Sequence, residues 1–192
     1  LPHFRLLPNG CDPELYTQAD PSLFEKTHGL RDFLLCVGRI EPNKNQLLLC
    51  YALRETDIPI VLVGKESSDL FQDYLALCKY LGNGRIHVLQ DLSDTMLASA
   101  YAAARLFVLP SASESFPLST LEAAWAGCPV VLSHNSVQGE FFQNLFYSLD
   151  PLDPKAIKSV IETAWHADNR QRVESAKTLV QEACTWEQMA AV

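Results

Sequence analysis

The chain has 192 residues, 48% of them hydrophobic and 20% charged, with 8 glycines and 11 prolines. That mixture fits one compact domain, with or without appendages, and excludes a disordered tail or a fibre. Fifteen Lys and Arg against 23 Asp and Glu give a net charge of −8, which argues against a broad basic face for nucleic acid, and no apolar run reaches the roughly 18 residues of a membrane-spanning helix.

In chain order, Leu1-Pro2-His3-Phe4 shows neither a basic n-region nor an apolar h-region and no initiator methionine, so the chain is expected to be a piece of a longer protein. Phe33 to Gly38 reads as a buried strand. Asn43 offers the cap of a helix carrying Leu47, Leu48, Tyr51 and Ala52. Pro59 to Gly64 is a second strand, and Ser67 to Leu81 a helix with Leu70, Phe71, Tyr74 and Cys78 on one side, stopped by Gly82-Asn83-Gly84. Arg85 to Leu89 is a third strand, and Ser93-Asp94 opens a helix through Ala104. Leu106 to Pro110 is a fourth strand, followed by a polar loop, Ser111 to Ser115, and a helix from Pro117 to Gly127. Pro129 to Ser133 is a fifth strand, 144–149 a short sixth, and helices follow from Pro154 to Asp168 and from Asn169 to Glu182.

Alternation of this kind predicts an α/β, Rossmann-like three-layer sandwich with a mostly parallel sheet of about six strands. Such sheets bind ligands beyond the carboxyl ends of their strands. The segments to inspect are therefore Gly38-Arg39, Gly64-Lys65, Gln90-Asp91, Ser111 to Phe116 and Ser133-His134. The cysteines (Cys11, Cys36, Cys50, Cys78, Cys128, Cys184) form no C-x-x-C pair or zinc spacing. Three disulfides are arithmetically open, but a chain this long builds a core unaided, so reduced thiols and a cytoplasmic setting are expected.

Two segments carry chemistry. Around Pro110 to Ala123 a strand, a loop and a helix follow directly. Pro117 suits a first helical position, so the amides of Leu118 and Ser119 would point out of the helix end and seat a phosphate or diphosphate. Glu122 shares a stripe with Ser119 and could accept hydrogen bonds from sugar hydroxyls, and Glu114 in the loop can point into the cleft. The alternative is that both glutamates are solvated acids near a helix N-terminus. After the first strand, Gly38 permits a sharp turn and Arg39 stands at the cleft mouth. Lys44 falls in the first helical turn, where the dipole disfavours a cation unless an anion sits opposite. Arg39 and Lys44 could jointly neutralise a diphosphate. The alternative is a pair of surface cations, one salt-bridged to Glu41.

Taken together, these blocks resemble the C-terminal half of family-4 retaining glycosyltransferases of GT-B fold. Glu114 and Glu122 are the family's two glutamates with seven residues between them. Glu114-Ser115-Phe116-Pro117-Leu118 stands for its Glu-Gly-Phe-Gly-Leu stretch, and Glu122-Ala123 closes the motif. Gly127-Cys128-Pro129-Val130-Val131 matches Gly-x-Pro-Val-Val, and Val37-Gly38-Arg39 with Lys44 matches the Val-Gly-Arg…Lys block. Pro8-Asn9-Gly10-Cys11-Asp12 resembles the interdomain linker, and Trp186-Glu187 the point where the chain crosses back. The sequence departs from the family pattern at Gln138-Gly139-Glu140, where Gly-Gly-x-x-Glu is usual. It also departs at Lys65, where glycine is frequent, and at Gln90-Asp91, which replaces a Phe-x-Gly turn.

The resemblance implies a nucleotide-diphospho-sugar donor and transfer with retention. Arg39, Lys44 and Glu114 would be the catalytic set, the two cations stabilising the departing diphosphate and Glu114 contacting the sugar. Gly38, Ser115, Phe116, Pro117, Leu118, Ser119 and Glu122 would bind the donor, with Glu122 on the ribose and the base stacked near Gly64-Lys65 and Leu89-Gln90. No metal and no cofactor would be required, in keeping with the lack of an Asp-x-Asp motif.

The resemblance also implies a division of the chain. Residues 1–30 would be linker, 31–168 the nucleotide-sugar-binding domain, and 169–192 helices returning toward an absent N-terminal domain. That absent domain would bind a sugar, lipid or glycan acceptor and carry any peripheral membrane association, leaving this piece inactive alone. A non-catalytic nucleotide-sugar-binding module and a GT-B-shaped epimerase are the competing readings. A nicotinamide dehydrogenase is disfavoured because no G-x-G-x-x-G follows the first strand. His134 could reach the cleft or lie on the surface, His87 is expected in a strand, and Trp125 and Trp165 are expected in packing. Phe4, Leu6, Leu7, Leu15, Tyr16 and Phe24 are expected to pack on this domain or its missing partner.

Overall fold

The structure is a computed structural model that describes residues 9–11, 13–68, 71–136 and 142–186. Phe4, Leu6, Leu7, Pro8, Asp12, Leu70, Gln138-Gly139-Glu140 and Glu187 lie outside the described residues. Two short helices, α1 (Pro13–Thr17) and α2 (Pro21–His28), precede strand β1 (Leu34–Val37). A 3₁₀ turn (Pro42–Lys44) leads into α3 (Gln46–Ala52), then β2 (Ile60–Val63), α4 (Gln72–Gly82), β3 (Ile86–Leu89) and α5 (Asp94–Ala103). The second half runs β4 (Leu106–Leu109), α6 (Leu118–Trp125), β5 (Val130–Ser133), a 3₁₀ turn (Gln143–Leu145), β6 (Tyr147–Leu149), α7 (Pro154–His166) and α8 (Arg170–Ala183).

Every strand pair is parallel, in the order β3-β2-β1-β4-β5-β6. Because successive strand residues face opposite ways, the same six strands build two cores. Leu35, Val61, Phe107, Leu109, Val130 and Leu132 face α1, α2, α5, α6 and α8, which supply Tyr16, Phe24, Tyr101, Leu121 and Val180. Leu34, Cys36, Ile60, Leu62, Val108 and Val131 face α3, α4 and α7, which supply Leu49, Cys78, Ile157 and Ile161. The sandwich is thus three layers deep, as the alternation of elements implies. Tyr16 and Phe24 belong to the first core, so these members of the first thirty residues pack on this domain itself. Trp125 is buried and donates to Thr17 Oγ1 at 2.7 Å, while Trp165 packs on the second core with the Arg105 guanidinium 5.0 Å from its ring. His87 lies in β3, and the exposed His134 ring nitrogen stands 3.1 Å from the Leu149 carbonyl.

The strand order reverses at β1. The chain steps outward from β1 to β2 and β3, then returns to lay β4 on the other side of β1. The helices that follow β1 and β4, α3 and α6, therefore lie on opposite faces of the sheet, and it is at such a reversal, beyond the carboxyl ends of the strands, that sheets of this kind offer a crevice. Glycines permit the close approach of loops there. At Gly64 φ is 150°, and a Cβ would stand 2.0 Å from the Gly38 carbonyl oxygen. Ile40 N–H bonds the Lys65 carbonyl at 2.8 Å, sewing the loops after β1 and β2 together.

Local starts differ from expectation at two places. Asn43 does not cap α3. It sits in the 3₁₀ turn, and Asn45, in left-handed backbone (φ 58°), occupies the cap position. Asparagine tolerates that conformation, and its side-chain amide donates to the carbonyls of Pro110 (3.2 Å) and Pro151 (2.7 Å), which fixes it there. Lys44 consequently precedes the helix and does not lie in its first turn. Pro117 is the cap of α6 and not its first residue, with ψ still extended at 130°. Among the described residues no helix is long and apolar enough to cross a membrane. All six cysteines are buried free thiols, and burial pushes the Cys36 thiol up to about 12.

Replacing Gly64 with alanine is expected to lower stability by ~1–3 kcal/mol through overpacking and a disfavoured φ. An unchanged urea midpoint would show that the loop yields freely.

Candidate functional site

The crevice at the strand-order reversal is lined from below by Gly38 and from its two sides by the loops after β1 and β4. These loops are tied by backbone and side chain. Ala112 N–H donates to the Asn43 carbonyl at 2.8 Å, and the Asn43 side-chain amide donates to the Ser113 carbonyl at 3.3 Å. Between them Lys44 Nζ donates to Glu114 Oε1 in an ion pair. Each of these side chains is only 14% exposed, so the pair is shielded from the screening that makes surface pairs weak. A Cβ on Gly38 would touch the Lys44 stem at 3.6 Å, so Lys44 lies across that glycine. Residues 70 apart in sequence thus meet where the sheet reverses.

Arg39 is placed differently. Its guanidinium reaches Glu41 Oε1 at 3.1 Å and is 69% exposed. The two predicted cations do not share a partner: Lys44 turns inward to Glu114, and Arg39 stands at the rim beside its sequence neighbour. Its backbone carbonyl accepts from the Gln46 side chain at 2.8 Å, which holds the turn after β1.

The β4–α6 loop ends on a packed anchor. The Phe116 side chain is buried, with its ring 6.4 Å from that of Phe142. Asn9 in the lead-in segment donates to the Phe116 carbonyl at 2.6 Å. Ser115 is exposed and Leu118 largely so, with Pro117 and Ser119 half-buried. With Pro117 as cap, the outward-facing amides are those of Leu118 and Ser119, ahead of the first intrahelical acceptor. The helix is short but held from behind by its buried face, Leu121, Ala123, Ala124 and Trp125.

Glu122 is half-buried on the same stripe as Ser119. Its Oε2 accepts from the Tyr101 hydroxyl at 2.7 Å, and the Tyr16 ring packs edge-on to that of Tyr101 with centroids 6.0 Å apart. Burial, and then the Glu122 charge, push both phenols well above their ordinary range, so both remain proton donors. Sequence reasoning missed both tyrosines. Tyr101 lies on α5 and Tyr16 on α1, and no spacing rule links either to Glu122.

Beyond β2 and β3, Lys65, Glu66, Ser67, Ser68, Gln72 and Gln90 line an open hollow of ≈ 630 Å³. The Gln90 amide donates to Glu66 Oε2 at 3.1 Å, and Lys65 pairs with Asp91 at 2.6 Å. Lys65 and Gln90 therefore share one hollow, while Leu89 stays in the sheet, half-buried against the first core. The lining is polar and offers a ligand hydrogen bonds more than a stacking face. Glu66 and Gln72 were not foreseen, although Glu66 directly follows the singled-out Lys65. Among the described residues no group of three or more His, Cys, Asp or Glu could hold a metal ion.

Comparison with known proteins gives a consistent picture. Residues 24–183 match the family described as Glycosyl transferases group 1. O-antigen chain mannosyltransferase B of Escherichia coli is 33% identical over 162 residues, 81% of this chain and 42% of that protein. D-inositol 3-phosphate glycosyltransferase of Frankia alni is 35% identical over 138 residues, 64% of this chain and 34% of that protein. The chain thus spans less than half the length of these relatives. Among solved structures, sucrose-phosphate synthase of Thermosynechococcus elongatus superposes with TM-score 0.81 at 25% identity, covering 97% of this chain and 50% of that one. HepE of Anabaena, solved with UDP and glucose, superposes with TM-score 0.85 at 22% identity, covering 97% of this chain and 54% of its own.

A double-mutant cycle on Lys44→Met and Glu114→Gln, read by chemical denaturation, should give a coupling energy of ~1–3 kcal/mol. A coupling near zero would place the pair among ordinary surface contacts.

Proposed function

The chain belongs to the group 1 glycosyl transferases, and from that premise we propose that it is the donor-binding half of a retaining glycosyltransferase. It would bind a nucleotide-diphospho-sugar across the carboxyl ends of its strands and present the sugar to an acceptor. The observation that carries this reading is the shielded Lys44–Glu114 pair at the strand-order reversal, beside Gly38. The C-terminal domain of a glycosyl transferase group 1 family protein (LpcC) of Francisella tularensis, which this chain covers over 97% of its length with TM-score 0.76, supports placing the chain in the C-terminal half.

Glycosyl transfer breaks the bond between the anomeric carbon and a diphosphate oxygen. Negative charge then grows on the leaving diphosphate, and fixed donors at that point lower the barrier. Lys44 and the Leu118 and Ser119 amides are the groups suited to that task, with Arg39 at the rim free to swing from Glu41 toward a bound anion. Lys44 cannot serve both Glu114 and a diphosphate equally, so donor binding draws the ammonium away and leaves the Glu114 carboxylate for the sugar. Glu122 takes the ribose hydroxyls, and the polar hollow around Lys65 and Gln90 takes the base. The bonding groups are all side chains and amides, so transfer proceeds without a divalent metal. Acceptor choice and any membrane association belong to parts of the protein outside this chain. Transfer to an acceptor by the full-length protein separates this reading from an inert binding module or an epimerase.

Three outcomes test the proposal. Glu114→Gln should tighten binding of a nucleoside diphosphate by removing the competitor for Lys44, yet lower turnover in the full-length enzyme; weaker binding would show that Glu114 and Lys44 do not compete. Arg39→Ala with Lys44→Ala should cut turnover far beyond any loss of folded protein, whereas matched losses of activity and melting temperature would make the pair structural. Chelation of divalent metal should leave the rate unchanged, and a rate restored only by added metal would refute the electrostatic scheme.

A further inference from the structure

We propose that Tyr101 is a positioning residue for donor binding, braced by the Tyr16 ring and holding the Glu122 carboxylate so that its unoccupied lone pairs meet the ribose hydroxyls. The inference rests on the reading of Glu122 as the ribose ligand and adds how that ligand is aimed.

A glutamate on a helix surface has three rotatable bonds, and its carboxylate sweeps a wide arc. To discriminate a ribose it must be held before the ligand arrives, because ordering it on binding costs affinity. Here the Tyr101 phenol does the holding. Tyr101 is fully buried on α5, and its hydroxyl sits 2.7 Å from Glu122 Oε2. Tyr16 comes from α1 and is 8% exposed, its ring edge-on to Tyr101 with centroids 6.0 Å apart. Tyr101 is in turn wedged against Phe107 of β4, with centroids 5.8 Å apart. The carboxylate is therefore referenced to the sheet through Tyr101, whose ring Tyr16 of the lead-in segment braces edge-on.

A carboxylate has about four lone-pair sites. The Tyr101 phenol occupies part of that capacity and leaves the remainder for donors such as vicinal hydroxyls. A tyrosine retained only for packing would need no hydroxyl at this place, since phenylalanine fills the same volume without a polar atom in the core.

The test is the preference for ribose. The probes are UDP and GDP, each against its 2′,3′-dideoxy counterpart, bound to the 192-residue chain and followed by calorimetry. The wild-type chain should prefer the ribose form of at least one pair by about tenfold. Tyr101→Phe should collapse that preference to below about threefold, by weakening the ribose form and leaving the dideoxy form unchanged. Packing damage alone would weaken both forms alike and preserve the ratio. Should Tyr101→Phe give no folded protein, the same ratio on Tyr16→Leu, which removes the ring that braces Tyr101, decides. A ribose preference retained in the tyrosine variants but lost in Glu122→Ala overturns the positioning role and leaves the proposed function standing. A wild-type chain with no ribose preference, or one that Glu122→Ala does not change, removes Glu122 from the ribose and overturns both.

Discussion

The molecule is organised around one contact, the ion pair between Lys44 and Glu114. Everything that brings these side chains together is a consequence of strand order. Because β4 lies beside β1 while the chain between them has gone out through β2 and β3, the loops after β1 and β4 end at the same place from opposite directions. Asn43 and Asn45 pin one loop to the other, and Gly64 lets the loops after β1 and β2 nest. The result is a cation and an anion sheltered from solvent at the spot where such a sheet leaves a crevice. It also reconciles a net charge of −8 with the anionic donor proposed above. The overall field disfavours extended polyanions, while a single internal ammonium, already compensated, can be claimed by one diphosphate.

The lead-in segment is part of this arrangement and not a tether beside it. Asn9 holds the Phe116 carbonyl, Tyr16 packs edge-on to Tyr101, and Thr17 receives the Trp125 indole N–H. Gly10 runs so close to Thr185 and Trp186 that a Cβ would lie 2.8 Å from the Trp186 nitrogen, and Cys11 pairs with Thr185 in a parallel bridge. The two ends of the described chain therefore run side by side past the start of α6. The loop and helix that carry Glu114 and Glu122 are braced by residues that the sequence presents as a linker.

The sheet was legible in the sequence because each strand is a short, almost wholly apolar run, the pattern of strands buried on both faces. The site was legible in outline for the same reason: strand ends fix where Gly38, Lys44, Glu114 and Ser119 can lie. Its pairings were not. The Lys44–Glu114 and Tyr101–Glu122 contacts join residues far apart in the chain, and local periodicity carries no information on which strand ends become neighbours. Cap positions shifted by one or two residues, at Asn45 and Pro117, because tertiary hydrogen bonds and an extended ψ outvoted the local pattern. The helix α2 had readable signals that went unused: Asp20 accepts from Ser22 N–H, Pro21 stands first, and Gly29 closes it in left-handed backbone. These are ordinary start and stop marks in a segment with weak amphipathic periodicity.

All six thiols are folded into the interior, Cys36, Cys50 and Cys78 together on one side of the sheet and Cys11, Cys128 and Cys184 on the other. An alkylating or oxidising reagent can meet them only when a layer comes away. The two groups then act as built-in clocks of layer separation, one for each face, and the order in which they become labelled would reveal which helical layer peels first.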